Sequence, residues 1–188
     1  MAWIFKILDI LRIPGLLEII WRLLTRVTIL TQLEKNAAMS VLGANSISYA
    51  TVRVAQDRIL NVIFRFNDNR AFTTFHTINL PKSGRHARWH LDITVHELVH
   101  VFQYERVGSI YIYQALRAQR RNGYSYGGWQ QLKQDRENGR HFSDFNREQQ
   151  GQIAQDYYNQ VVKTSIPVED PIRQAYEPFI SELRNGDL

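Results

Sequence analysis

Two histidines four residues apart in one helical run constrain this chain more than any other feature. The string His96-Glu97-Leu98-Val99-His100 lies inside LDITVHELVHVFQY, where Ile93, Val95, Leu98, Val99 and Phe102 supply a buried setting. The run predicts a helix from near Trp89 to about Arg106. Residues four apart lie one turn apart on the same helix face, so both imidazoles can reach a single metal ion. The chain contains no cysteine. Disulfides, thiolate nucleophiles, iron–sulfur clusters and cysteine-held zinc are therefore excluded, and a metal site has to be built from His, Asp and Glu.

The residue between the histidines fits the same chemistry. Zinc lowers the pKa of a bound water from 15.7 toward about 7, and a carboxylate beside the first ligand can take up its proton. Glu97 stands there and is the expected general base. A catalytic zinc usually has three protein ligands, so one must come from elsewhere in the chain. It is not a third histidine six residues after the second, because Arg106 occupies that position and Gln103 stands where the accompanying glycine would be. Glu148 is the favoured candidate: Asn146 reads as an N-cap and Gln149 as its capping-box partner, which sets Glu148 in the first turn of a helix running through Ile153 to Val162. Asp144, His141 and Asp156 are its rivals, while Glu105 is turned off the ligand face. Asp156 is expected to orient a ligand imidazole. Tyr157 is the first choice for stabilising a developing oxyanion, ahead of Tyr124, Tyr126, Tyr158 and His141.

The rest of the chain sets the frame. At 188 residues, 44% hydrophobic and 22% charged, it has material for one folded domain with a sizeable core. A net charge of +5 without a long basic block makes nucleic acid an unexpected partner. Residues 1–30 are the most apolar stretch, but Lys6, Asp9, Arg12, Glu18, Arg22 and Arg26 interrupt it, so it is not expected to cross a bilayer. The leader Met-Ala-Trp and the lack of a small-residue cleavage site do not read as a secretory signal, so the segment is expected to be retained. Pro14-Gly15 divides it into two helices, the second with Glu18, Arg22 and Arg26 on one face and leucine and isoleucine over the remainder. The apolar part either packs on the domain's own core or anchors the chain to a membrane surface or larger assembly.

Thr31-Gln32-Leu33-Glu34 has the form of a capping box, and with Gly43 as terminator it predicts a helix over 32–42. Ile47 to Val54, Ile59 to Phe66 and Ala71 to Leu80 read as about three strands, with Asn67-Asp68-Asn69 as a hairpin turn between the last two. Helical runs separated by Gly108, Asn122-Gly123, Gly127-Gly128 and Gly139 follow. Asp170-Pro171 starts a last helix that Pro178 is expected to interrupt. Helices, a small mixed or antiparallel sheet, then helices define an α+β class. The strand 71–80 is the expected substrate edge, with His76 as a further candidate on it.

The segments HELVHVFQYERVGSIYIYQAL, GYSY and FNREQQGQIAQDYY resemble the zincin-like, gluzincin-type domains of bacterial polymorphic toxins and extracellular contractile injection systems. The likeness covers about residues 31–163. It implies a compact zincin-like fold with zinc held by His96, His100 and Glu148, and with Glu97 as base. It departs from the gluzincin pattern at Gln152, where an acidic residue would stand four positions after the ligand Glu.

These readings divide the chain into an apolar segment, 1–30, and a metallopeptidase domain, 31–188. The leading expectation is a zinc-dependent peptidase that acts on a peptide or protein. The other is a catalytically idle zincin-like module that docks through its N-terminal helices to a membrane or an injection-type assembly. The expected location is cytoplasmic or peripheral to a membrane, with delivery into another cell as a further route.

Overall fold

The computed structural model describes residues 2–121 and 123–188; Met1 and Asn122, the latter from the expected Asn122-Gly123 break, lie outside them. The chain order is α1 (Ala2–Ile10), α2 (Ile13–Leu24), β1 (Arg26–Ile29), α3 (Gln32–Leu42), β2 (Arg53–Gln56), α4 (Leu60–Phe66), β3 (Phe72–Thr74) and β4 (Thr77–Asn79). There follow α5 (Leu91–Val107), α6 (Ile110–Arg121), α7 (Gly128–Glu137), α8 (Arg147–Tyr157), a π-helical turn over Tyr158–Val162 and α9 (Pro171–Asn185). The class is α+β.

Local signals decide several elements. Thr31 accepts from the Glu34 backbone amide while the Glu34 side chain accepts from Thr31, so α3 begins at the expected box. Asn146 caps α8 in the same reciprocal way with Gln149. Gly108, at φ +75°, ends α5.

The sheet departs from expectation. It has four strands in the order β1-β2-β4-β3, with β1/β2 and β3/β4 antiparallel and β2/β4 parallel. The expected strand 59–66 is instead a helix, α4, because Leu60 and Phe64, four apart, bury together against Ala55 of β2. Asn67-Asp68-Asn69 consequently closes a helix and not a hairpin. The expected strand 71–80 is folded in two at Phe75, whose φ of 53° makes the tight turn between β3 and β4. Of these two strands β3 lies at the edge of the sheet, since β4 is flanked by β2 and β3. Pro178 does not interrupt α9; Tyr176, Phe179, Ile180 and Leu183 are buried around it, and this packing outweighs the missing hydrogen bond.

The main core gathers α3, α5, α8 and α9 around Leu42, Leu98, Phe102, Ile153, Tyr176 and Phe179. Residues 1–30 include β1, which supplies the outer partner of β2. The break between α1 and α2 falls at Arg12, φ 55°, with Pro14 in the first turn of α2. The polar stripe of α2 faces inward. Glu18 accepts from the Thr77 hydroxyl at 2.9 Å, the His76 amide at 3.0 Å and Arg22 at 2.7 Å, and the Trp21 indole donates to Asn79 at 2.8 Å. Among the described residues no helix is long and apolar enough to cross a membrane.

This junction titrates. His76 reaches Glu105 at 3.1 Å and Glu18 at 3.6 Å. The hydrogen bond to Glu105, then that to Glu18, raises its pKa from the ordinary 6.5 to about 9 against partial burial. Burial works to raise the Glu18 carboxyl, and His76, Arg22 and Thr77 together pull it below its usual range. Stabilisation from His76 is therefore complete below pH 6.5 and is lost as the pH rises through about 9. Glu18 contributes above its ordinary 4.5 and fails as acid protonates it. His76→Asn is expected to cost about 1–2 kcal/mol near pH 6, after allowance for partial exposure, and almost nothing by about pH 10. Thermal unfolding of both proteins across that range checks this, and a deficit independent of pH would contradict it.

Candidate metal centre

Helix α5 carries His96 and His100 one turn apart, and α8 lies across it with Glu148 in its first turn. All three side chains are buried, and one ligand atom from each lies within 4.8 Å of the others. The Glu148 Oε2 atom is 3.5 Å from both the His96 and the His100 Nε2. Metal–nitrogen bonds of about 2.0–2.1 Å in a tetrahedron put ligand atoms about 3.3–3.4 Å apart, so the spacing is that of a ligand set. Among the described residues this is the group that could hold a metal ion.

Glu148 Oε2 is fully buried and has no hydrogen-bond partner, a demand that a cation would meet. Its sister atom Oε1 accepts from Gln119 Nε2 at 2.9 Å, so the carboxylate is clamped on one oxygen and free on the other. Burial works to raise the Glu148 pKa, but the imidazoles of His100 and His96 hold it well below the usual carboxylate range. Burial likewise works to lower His100, and the Glu148 charge raises it to about 9. A divalent ion would replace that proton as the counter-charge.

A chain of amides fixes the tautomer of His100. Gln150 donates through Nε2 to the Phe142 carbonyl at 3.1 Å, which turns its Oε1 toward Gln103 Nε2 at 3.0 Å. Gln103 Nε2 also donates to the Arg147 carbonyl at 3.1 Å, leaving its Oε1 to face His100 Nδ1 at 2.8 Å. His100 must donate from Nδ1, so Nε2 faces Glu148: it carries the second proton when the ring is charged, and in the neutral ring its lone pair is left for an ion. Asp156, expected to orient a ligand imidazole, instead accepts from Tyr126 at 2.6 Å and Gln152 at 2.8 Å.

Glu97 is buried beside the cluster, and the Thr73 hydroxyl from edge strand β3 donates to its carboxylate at 2.7 Å. Burial raises its pKa above the ordinary value, which His100, His96 and Thr73 only partly offset. A cavity of about 220 Å³ opens at His96 and Glu97, with Tyr124, Arg70, Arg85 and His86 among its walls. Tyr124 stacks 5.7 Å from the His96 ring, and burial, followed by the Glu148 charge, keeps its hydroxyl protonated.

The structure does not bring Tyr157 to the site. It lies nine residues after Glu148, which is about 900° of helical rotation and hence the opposite face of α8. Its hydroxyl donates to Glu177 at 2.7 Å. Of the rival ligands, His141 pairs with Glu182 and Asp144 caps the turn at Phe142, while Glu105 joins His76 on the α2 side.

Thr73, Gln103 and Gln119 gave no motif-level signal, since each acts through a tertiary contact. Gly151 did carry one, being a glycine inside a helical pattern. It sits one turn after Glu148, and a Cβ there would lie 2.7 Å from His96 Cε1 and 2.8 Å from Nε2. The missing side chain lets α8 come close enough to present Glu148 to His96.

No family model, curated protein or solved structure matches the chain.

Gly151→Ala adds a better helix former, worth about 1 kcal/mol in an open helix. Here the methyl group must displace the His96 ring. Affinity for zinc or cobalt, read by competition with a chelator, is expected to fall about 10–100-fold while the helix content is kept. Unchanged affinity would contradict this account of the glycine.

Proposed function

We propose that the protein is a zinc-dependent amide hydrolase of zincin-like architecture that cleaves peptide bonds. The observation that carries the reading is the orphaned Glu148 Oε2, buried between two imidazoles whose Nε2 atoms face it. Neutral imidazoles and one carboxylate are a donor set suited to zinc, and three protein ligands leave a coordination position for water or substrate. His96, His100 and Glu148 would hold the ion, which when bound acidifies a water ligand and polarises the scissile carbonyl.

The chain's own groups carry the remaining roles. Glu97 takes the proton of the attacking water and returns it to the departing amine nitrogen. Its raised pKa suits that exchange better than an ordinary surface carboxylate would. Tyr124 replaces Tyr157 as the donor to the developing oxyanion, since it lines the cavity with His96 and Glu97. The outward carbonyl of β3 is taken at Thr73 by the Tyr111 hydroxyl at 2.9 Å, so the cavity beside the Thr73–Glu97 contact, and not the strand edge, is where substrate would bind. Arg70 and Arg85 on the cavity wall favour peptides with a carboxylate near the cleaved bond. The buried Glu97 also weighs against an idle scaffold, because a structural zinc site has no need of a buried carboxylate adjacent to its ligand.

Glu97→Gln keeps the size and the Thr73 contact but cannot accept a proton. It is expected to retain zinc and the fold while losing at least about 100-fold in peptide cleavage, read by mass spectrometry on a mixed peptide library. Equal cleavage by the two proteins would overturn the proposed role of Glu97, and the wild-type cut sites should be enriched in acidic residues.

A further inference from the structure

Helices α1 and α2 are built inside out relative to the body they pack on. Toward the body they turn Phe5, Leu8 and Asp9, then Pro14, Glu18, Trp21 and Arg22. Away from it they turn Trp3, Ile4, Ile7, Ile10 and Leu11, followed by Leu16, Leu17, Ile19, Ile20, Leu23 and Leu24. Exposure reaches 63% at Trp3, 77% at Ile10, 60% at Leu16 and 70% at Leu23. A continuous apolar surface of that extent is rare on a soluble monomer and marks an interaction site.

Charge selects the occupant. The segment's two carboxylates are both turned inward: Asp9 accepts from the Ser109 amide at 3.1 Å, and Glu18 is engaged with Arg22, His76 and Thr77. The cations left exposed are Lys6, Arg12 and Arg26. An outer face that combines leucine, isoleucine and an exposed tryptophan with lysine and arginine, and carries no free acid, matches an anionic bilayer surface. Neither helix is long enough to span a bilayer, so they would lie in the interface. The inward polar stripe explains how the body stays attached: hydrogen bonds to β4 hold α2, and its apolar side remains available to lipid.

We infer that α1 and α2 form an amphipathic platform that seats the protein on membranes bearing anionic lipids. The inference does not depend on the proposed hydrolase activity. The test uses the full chain and vesicles of phosphatidylcholine, alone or mixed in equal parts with phosphatidylserine. Wild type is expected to sediment with the mixed vesicles and much less with phosphatidylcholine alone. Ile10→Asp with Leu23→Asp, both at exposed positions, should abolish sedimentation without changing the unfolding temperature. Lys6→Glu with Arg26→Glu should weaken binding to the mixed vesicles more than about tenfold. Failure of wild type to bind either vesicle overturns the inference. So does light scattering that finds a wild-type dimer made monomeric by Ile10→Asp with Leu23→Asp, which would make a second copy of the chain the occupant.

Discussion

A carboxylate oxygen buried between two imidazoles, with no hydrogen-bond donor of its own, is the constraint around which the rest of the molecule is arranged. Burying an unpaired charge is costly unless a counter-charge is supplied. Here the protein holds Glu148 Oε2 3.5 Å from both His Nε2 atoms and gives its other oxygen to Gln119. Helix α5 provides both imidazoles, α8 the carboxylate, α6 the Gln119 clamp, and Gly151 the close approach of α8 to His96. The core around Leu98, Phe102 and Ile153 fixes the two helices and thereby the distances between these groups. A divalent cation would meet the same electrostatic demand that protonation of His100 meets.

The support around the ligands is more specific than the ligands themselves. Gln103 and Gln150 end on backbone carbonyls, whose inability to donate propagates outward and leaves one tautomer for His100. Thr73 ties the edge strand to Glu97, and Tyr111 closes on the Thr73 carbonyl, so the sheet positions the proposed base. Such positioning through buried partners is what the proposed metal site would require.

The two histidines, Glu97 and Glu148 were legible because each depends on helix periodicity and an N-cap, which are local. Helix 32–42 was legible for the same reason. What was not legible depended on tertiary choice. Leu60 and Phe64 fit a strand or a helix equally well over so short a run, and packing on Ala55 decides for the helix. Phe75 in a left-handed turn leaves no sequence trace, since aromatic residues seldom adopt it. Strand β1 was hidden behind an amphipathic helix whose polar face proved to be the buried one. Tyr157 was favoured for being on the right helix, but helical rotation carries it to the wrong side.

The central claim is that His96, His100 and Glu148 form a zinc site, and metal content tests it most directly. Elemental mass spectrometry of purified wild type, His96→Ala and Glu148→Ala, each reconstituted with zinc and desalted at neutral pH, compares the three chains under one condition. The account predicts about one zinc per wild-type chain and its loss from both variants. Wild type without zinc, or Glu148→Ala with a full complement, would contradict it.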